Sequence, residues 1–114
     1  MKLKEEGYLL RMFIGEDDTY QNEPLYDVLV RKARDMGLAG ATVLKGIEGY
    51  GANSRIHTAN VLRLSEDLPV IIEIVDSKEY IDEFLEETEE MIEEGLVTLE
   101  KADVIKYTAN QTEN

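Results

Sequence analysis

The chain has 114 residues, enough for one domain with its own core, and its 25 acidic against 12 basic residues give a formal net charge of −13. Cysteine is absent, which excludes disulfides, thiolate metal sites and cysteine nucleophiles. A field of this sign repels phosphate backbones, so a nucleic acid polymer is not an expected partner.

The first half of the chain predicts a strand followed by a helix. Gly7–Ile14 alternates as a strand does, but it carries apolar side chains on both faces. Pro24 suits the first turn of a helix, because its missing N–H needs no partner there. Apolar residues then recur at helical spacing, at Leu25, Val28, Leu29, Ala33 and Met36. Gly37 predicts the C-terminal end of that helix.

The second half predicts two strands joined by a long loop, then a second helix. The strands are Ala41–Ile47 and Val70–Val75, and the glycine-rich loop between them has about twenty residues, against the roughly 4–6 of most connections. Ser77 is expected to cap the second helix and Gly95 to end it. Leu96–Leu99 and Val104–Tyr107 are predicted as a fourth strand and a short fifth one, and the tail after them is polar.

The order βαββαβ is typical of the α+β ferredoxin-like fold, a split βαβ sandwich with both helices on one face of an antiparallel sheet. We therefore expect a single domain over residues 1–114. The third strand is apolar on both faces, with Ile72 pointing one way and Ile71 the other. Since no third helix is available to cover the second face, self-association is expected.

Candidate functional residues concentrate around the start of the long loop. Gly49 and Gly51 can present N–H groups to an anion, although a simple hinge is the alternative interpretation. Lys45 and Arg55 are candidate charge partners for that anion, or scattered surface bases. His57 is the single histidine, so no zinc or copper site is expected, and no metal is assigned.

Catalysis has little support in the sequence, and no catalytic residue is assigned. The serines lack a recognisable triad, and one histidine cannot form a dyad with itself. The alternative is a small oligomeric enzyme that uses His57 and Glu73 as base and acid. Glu73 stands on an otherwise apolar strand, however, and Arg11 on the neighbouring strand is its expected structural partner.

Several short motifs, in order and on the expected elements, resemble the PII-like signalling proteins. Gly40–Val43 resembles the family's entry into its second strand, and Glu48–Gly51 its Lys-Gly-Phe-Gly at the base of the long loop. Leu68–Pro69 followed by Ile72–Val75 resembles its third strand, and His57–Thr58 echoes a His-Thr pair within the loop. The resemblance covers almost the whole fold and implies a trimer whose long loop engages partner proteins.

The resemblance also implies an effector site between subunits. It places an adenine nucleotide (ADP, ATP or AMP), bound as an effector and not as a tightly held cofactor, near Ala41, Thr42, Lys45, Gly49, Tyr50, Gly51, Arg55 and His57. The loop sequence is similar to that of a PII-like branch often encoded beside small fluoride channels, which makes a membrane channel or transporter the expected protein partner. The chain itself is expected to be cytoplasmic and not inserted in a membrane, because it has no apolar run of the roughly 18 residues of a span.

Two departures from the nucleotide-binding members bear on affinity. Glu93 and Glu94 stand where those members have a phosphate-cradling loop, and Val70 replaces the lysine that follows their Leu-Pro. Because carboxylates repel phosphates, we expect weaker binding and less preference for the triphosphate than in those members.

Overall fold

The structure, a computed structural model, describes residues 6–51 and 67–109, together with the backbone of residues 57–58. The strands are β1 (Glu6–Gly15), β2 (Thr19–Tyr20), β3 (Glu23–Pro24), β4 (Thr42–Lys45), β5 (Glu48–Gly49), β6 (His57–Thr58), β7 (Pro69–Asp76) and β8 (Leu96–Asp103). The helices are α1 (Leu25–Asp35) and α2 (Lys78–Thr88), and a 3-10 helix covers Glu89–Met91.

Four of the strands form one antiparallel sheet in the order β4-β7-β1-β8. The first and third predicted strands therefore lie at its centre, which is the ferredoxin-like arrangement expected from the element order. Two short two-stranded ladders, β2 with β3 and β5 with β6, extend from the sheet's connections. Among the described residues, no helix is long and apolar enough to cross a membrane.

The inner face of the sheet packs on both helices. Leu10 and Met12 of β1 and Ile72 of β7 are fully buried there. The helices contribute Leu29 from α1, and Ile81 and Phe84 from α2, to the same core. Because strand side chains alternate between faces, this pattern fixes which residues of the central strands must point outward.

The outer face is also largely apolar, as the sequence predicts. One row of cross-strand neighbours, Leu44, Ile71, Phe13 and Leu96, runs across all four strands. The next row is polar and contains Thr42, Glu73, Arg11 and Thr98. Among the described residues, no helix covers this face, and Leu96 is 56% exposed.

The predicted end of the first helix and the predicted cap of the second are confirmed. Pro24, predicted in the first turn of α1, lies instead in β3 and directly precedes the helix. Gly37 adopts a φ of +84° just beyond α1, a conformation that a side chain disfavours. The Ser77 hydroxyl accepts from the N–H of Tyr80 at 3.5 Å and caps α2.

The predicted end of the second helix is wrong. The α-helix stops at Thr88, whose hydroxyl donates to the carbonyl of Phe84 at 2.8 Å, and the chain is extended again by Ile92. Gly95 has a different use, since a Cβ there would lie 2.6 Å from the backbone oxygen of Phe13. The glycine allows the chain to approach β1 as β8 begins.

The predicted division of the last strand is also wrong. Leu96 to Asp103 forms one continuous strand, and residues 104–109 form none. In the register with β1, Asp103 faces Glu6, so β8 ends opposite the first described residue of β1. The predicted second strand is shortened in the same way, from Ala41–Ile47 to Thr42–Lys45, and pairs with β7 from Glu73 to Val70.

Candidate functional site

Strand β4 forms one edge of the sheet and carries the first candidate residues. Among the described strands it pairs with β7 alone, so its other edge presents backbone groups without a strand partner. Thr42 is exposed on the outer face, opposite Glu73. Ala41, just before the strand, is half-buried and packs against the core. The two residues thus place one hydroxyl at the outer face and anchor the strand that holds it.

The glycine-rich turn after β4 is held closely against Pro69. The N–H of Gly46 donates to the Pro69 carbonyl at 2.7 Å. A Cβ would lie 2.8 Å from Pro69 Cγ at Gly46 and 3.0 Å from it at Gly49. Glycine is therefore required here partly because the turn passes so close to the start of β7, and not only to form an exposed anion site.

The β5–β6 ladder brings together most of the remaining candidate residues. Gly49 pairs with His57 across this ladder, and Tyr50, the next residue, is 74% exposed. Gly51 is exposed as well. Arg55 and the other residues of the ranges 52–56 and 59–66 lie outside the described residues.

Lys45 is separated from Thr42 by the sheet itself. It lies opposite Val70, on the inner side, where its Nζ pairs with Glu16 Oε2 at 3.1 Å. An anion on the outer face would therefore meet Thr42 and the glycine turn before it met Lys45. The lysine is placed instead to hold the end of β4 against the turn that follows β1.

That turn, Gly15–Asp18, contacts both ends of the long loop. Besides the ion pair with Lys45, the N–H of Glu16 donates to the Leu68 carbonyl at 2.7 Å. The N–H of Asp17 donates to Asp67 Oδ1, also at 2.7 Å. The turn therefore holds the end of β4, before the loop, and residues 67–68, at the end of the loop.

Beside this turn is an open acidic cleft of about 540 Å³. Its lining comprises Asp17, Asp18, Thr19, Leu25, Met91, Glu93 and Glu94. Burial raises the pKa of the Asp18 carboxyl, and the N–H of Gly15, which donates to it at 2.9 Å, opposes that rise. The charges of Asp67, Glu94 and Asp17 raise the pKa further. Such a field disfavours an anion in this cleft.

The outer face holds the predicted partner of Glu73. Arg11 Nε donates to Glu73 Oε2 at 3.0 Å, and Arg11 also lies 3.9 Å from Glu100 Oε2. This confirms the structural pairing expected from the sequence. It also engages the carboxylate that the enzymatic alternative requires as an acid.

One residue that the sequence did not single out is Asp76, at the end of β7. Its side chain is fully buried, and its two carboxylate oxygens accept from the N–H groups of Ala39 and Ser77, each at 2.7 Å. An acidic residue just before a capping serine is the available sequence signal. Nothing in the sequence indicates that its second partner lies 37 residues earlier.

Comparison with known proteins assigns this chain to a family. The model of the DUF190 family, described as "Uncharacterized ACR", matches residues 7–104. A UPF0166 protein of Aquifex aeolicus is 42% identical over 97 residues, which are 85% of this chain and 91% of that protein. UPF0166 protein MJ1524 of Methanocaldococcus jannaschii is 36% identical over 99 residues, covering 86% and 91% of the two chains.

Among solved structures, the chain is similar in fold to CPII of Thiomonas intermedia K12, a nitrogen regulatory PII-like protein. The CPII structure bound to ADP and bicarbonate has a TM-score of 0.67 at 14% identity, with 89% of this chain and 90% of that one covered. The apo form of CPII gives 0.61 at 14% identity and covers 87% and 91%. At such identity the likeness establishes the fold, and it agrees with the PII-like resemblance of the motifs.

Proposed function

This chain belongs to the DUF190 family and has the PII-like fold, and from that premise we propose that it is a non-enzymatic regulatory protein that binds a small anionic effector. The effector is an adenine nucleotide, bound at the base of the long loop in a cleft between subunits. The loop then docks on a protein partner, for which a membrane channel or transporter is the expected class, and the protein acts in the cytoplasm.

The observation that carries the proposal is the position of the candidate residues at an open edge of the sheet. Thr42 and the turn through Gly51 lie at the strand that has no second strand partner among the described residues. Backbone N–H groups near glycines and an exposed hydroxyl are donors suited to phosphate oxygens. The acidic cleft at the Gly15–Asp18 turn repels the same ligand, so the two regions differ in the charge they accept.

A trimer would complete this site. The apolar row Leu44, Ile71, Phe13 and Leu96 continues to the β4 edge, next to Thr42. Burying that row against a second copy removes apolar surface from water, which is the main driving force for association. The neighbouring copy would then form the second wall of the cleft at β4.

The structure of CPII bound to ADP and bicarbonate supports the choice of ligand class, because it shows an adenine nucleotide and a small anion on this fold. The carboxylates of Glu93 and Glu94 and the loss of a lysine at Val70 favour weak binding with little preference for the triphosphate. We therefore expect ATP, ADP and AMP to differ in affinity by less than about tenfold, a difference of about 1.4 kcal/mol.

The test is calorimetric titration with ATP, ADP and AMP, with and without Mg²⁺, and with bicarbonate as a separate arm. Thr42→Val removes one hydroxyl at the proposed site while keeping the side-chain shape, and we expect it to weaken nucleotide binding about fivefold or more, in line with a lost hydrogen bond. Thr98→Val is the matched control, because Thr98 is exposed on the same face in β8, at the far edge of the sheet.

Absence of nucleotide binding at millimolar concentration, with Mg²⁺ present, would overturn the choice of nucleotide. Bicarbonate binding alone would then identify a smaller anion as the effector. Equal losses in Thr42→Val and Thr98→Val would show that the site is not at β4.

A further inference from the structure

We propose that the buried carboxylate of Asp76 is a positioning residue for the effector site, acting through the backbone of Ala39. This inference rests on the proposed function, since it concerns the site at the entry of β4. Asp76 ends β7, the strand that pairs with β4, and Ala39 lies three residues before β4 begins.

The contacts of Asp76 are those of a carboxylate that holds backbone. One oxygen accepts from Ala39 N and the other from Ser77 N, both at 2.7 Å, and the side chain is inaccessible to solvent. A buried carboxylate is tolerated where its oxygens accept hydrogen bonds, and bonds to a charged acceptor are short and strong. Asp76 therefore ties the connection between α1 and β4 to the central sheet.

The next peptide group, which contains the Ala39 carbonyl, is contacted by the C-terminal segment. The Tyr107 hydroxyl donates to the Ala39 carbonyl at 3.4 Å, a long hydrogen bond. Val104 lies against Gly7 of β1, with its Cγ2 3.1 Å from the position of a Cβ there. Residues 104–107 thus pass from β8 along the end of the sheet, past Gly7 of β1, and reach Ala39 before β4.

These two contacts of Ala39 matter because Gly40, the next residue, is itself weakly constrained. Gly40, which follows Ala39, has nothing within 4 Å of the position of a Cβ, and it is exposed. An exposed glycine leaves the backbone free to adopt several conformations. The position of Thr42 therefore depends on the contacts of Ala39 before Gly40, and on the packing of Ala41 and the pairing with β7 after it.

The experiment combines a local structural readout with ligand affinity. Asp76→Ala removes both acceptors, and Tyr107→Phe removes the hydroxyl alone. Ser77→Ala is the matched control, because it weakens the cap of α2 at the adjacent residue without touching Ala39. Each variant is compared with the wild type by amide hydrogen exchange over residues 39–45, by thermal unfolding, and by titration with ADP and Mg²⁺.

We expect Asp76→Ala to speed exchange at residues 39–42 at least about tenfold and to raise the Kd for ADP at least about fivefold. Tyr107→Phe, which is expected to fold because its hydroxyl lies at the surface, should change both quantities in the same direction and by less. Ser77→Ala should lower the unfolding temperature and leave the Kd unchanged. If Asp76→Ala fails to fold, Tyr107→Phe decides the question by the same two readouts.

Three results would overturn the inference. One is an unchanged Kd in a folded Asp76→Ala variant, and another is a loss of affinity in Ser77→Ala equal to that in Asp76→Ala, which would indicate a general effect of stability. If the wild type binds no nucleotide, the proposed function fails first, and the role of Asp76 in binding fails with it. The wild-type titration therefore separates the two failures.

Discussion

The two faces of the central sheet have similar apolar content but different surroundings. On the inner face, Met12 and Ile72 are fully buried beneath the two helices. On the outer face, their sequence neighbours Phe13 and Ile71 are partly exposed, and Leu44 beside them is 43% exposed. Both faces are built to exclude water, but within the described chain only the inner one is covered.

The two faces also differ in their charged groups. The outer face carries an ion pair between Arg11 and Glu73, in a row that also contains two threonines, Thr42 and Thr98. The inner face buries one carboxylate, Asp76, and satisfies both of its oxygens with backbone N–H groups. If the outer face meets another copy, as proposed, the Arg11–Glu73 pair can help to fix the alignment of the two chains.

The largest expected effect is on the inner face. Ile72→Asp places a carboxylate at a fully buried position whose cross-strand neighbours are Met12 and Val43. An uncompensated buried charge costs about 3–5 kcal/mol, a large share of the stability of a small domain. We expect loss of cooperative unfolding by circular dichroism and of soluble expression. A folded variant with wild-type thermal stability would contradict the assigned core.

The adjacent substitution tests the outer face. Ile71→Asp introduces the same charge one residue away, between Phe13 and Leu44. Because Ile71 is partly exposed in the single chain, we expect a destabilisation of about 1 kcal/mol or less. Assembly should be lost, and light scattering should give the mass of one chain. A wild-type protein that is itself monomeric at micromolar concentration would remove the proposed trimer.

A smaller effect is expected from the polar row. Glu73→Gln removes one charge of the pair with Arg11, which is worth less than about 1 kcal/mol in a half-exposed setting. If a second copy covers this face, Arg11 keeps only the longer contact with Glu100 Oε2, at 3.9 Å, and association should weaken about tenfold. The double change Arg11→Met with Glu73→Met should restore association, measured by light scattering over a dilution series, because it removes both charges of the close pair and Glu100 is mostly exposed. No recovery in the double variant would show that the pair lies outside the interface.

The smallest effect concerns the acidic cleft, beyond both faces. Burial raises the pKa of Asp18, so the folded chain holds that proton more tightly than the unfolded chain. The stability contribution of this group is therefore highest at low pH and is lost as pH rises through the folded pKa. Asp18→Asn keeps an acceptor for the Gly15 N–H and removes the loss of stability that accompanies ionisation of Asp18.

We expect Asp18→Asn to raise the free energy of unfolding at pH 7 by less than about 1 kcal/mol, because Asp18 is only partly buried and solvent screens its charge. The gain should disappear below the ordinary carboxyl pKa of about 3.9. Asp103→Asn, which removes the same charge from the exposed end of β8, serves as the control in urea titrations at both pH values. A gain at pH 7 that persists at low pH would assign the effect to something other than the charge of Asp18.

Local patterns were sufficient for most of the fold. Alternation in Gly7–Ile14 and Val70–Val75, the helical stripe from Leu25 and the cap at Ser77 each depend on neighbours in sequence, and each is confirmed. The ends of α2 and β8 were not predictable in this way. The helix α2 stops at Thr88, before Gly95, and Gly95 is needed instead for the close approach to Phe13. The strand β8 continues to Asp103 because its register with β1, which is distant in sequence, continues to Glu6.

For the candidate site, too, some features followed from the sequence and others only from the tertiary structure. The sequence by itself determined that a glycine-rich segment follows β4, that Arg11 faces Glu73 and that the chain is too acidic to bind phosphate without local donors. Only the tertiary structure decided that Lys45 pairs with Glu16 on the side away from Thr42, and that Asp76 holds Ala39. The physical reason is that periodicity and residue type indicate which face of an element a side chain occupies. The partner that the side chain contacts on that face is decided by strand register and by the path of the connections between elements.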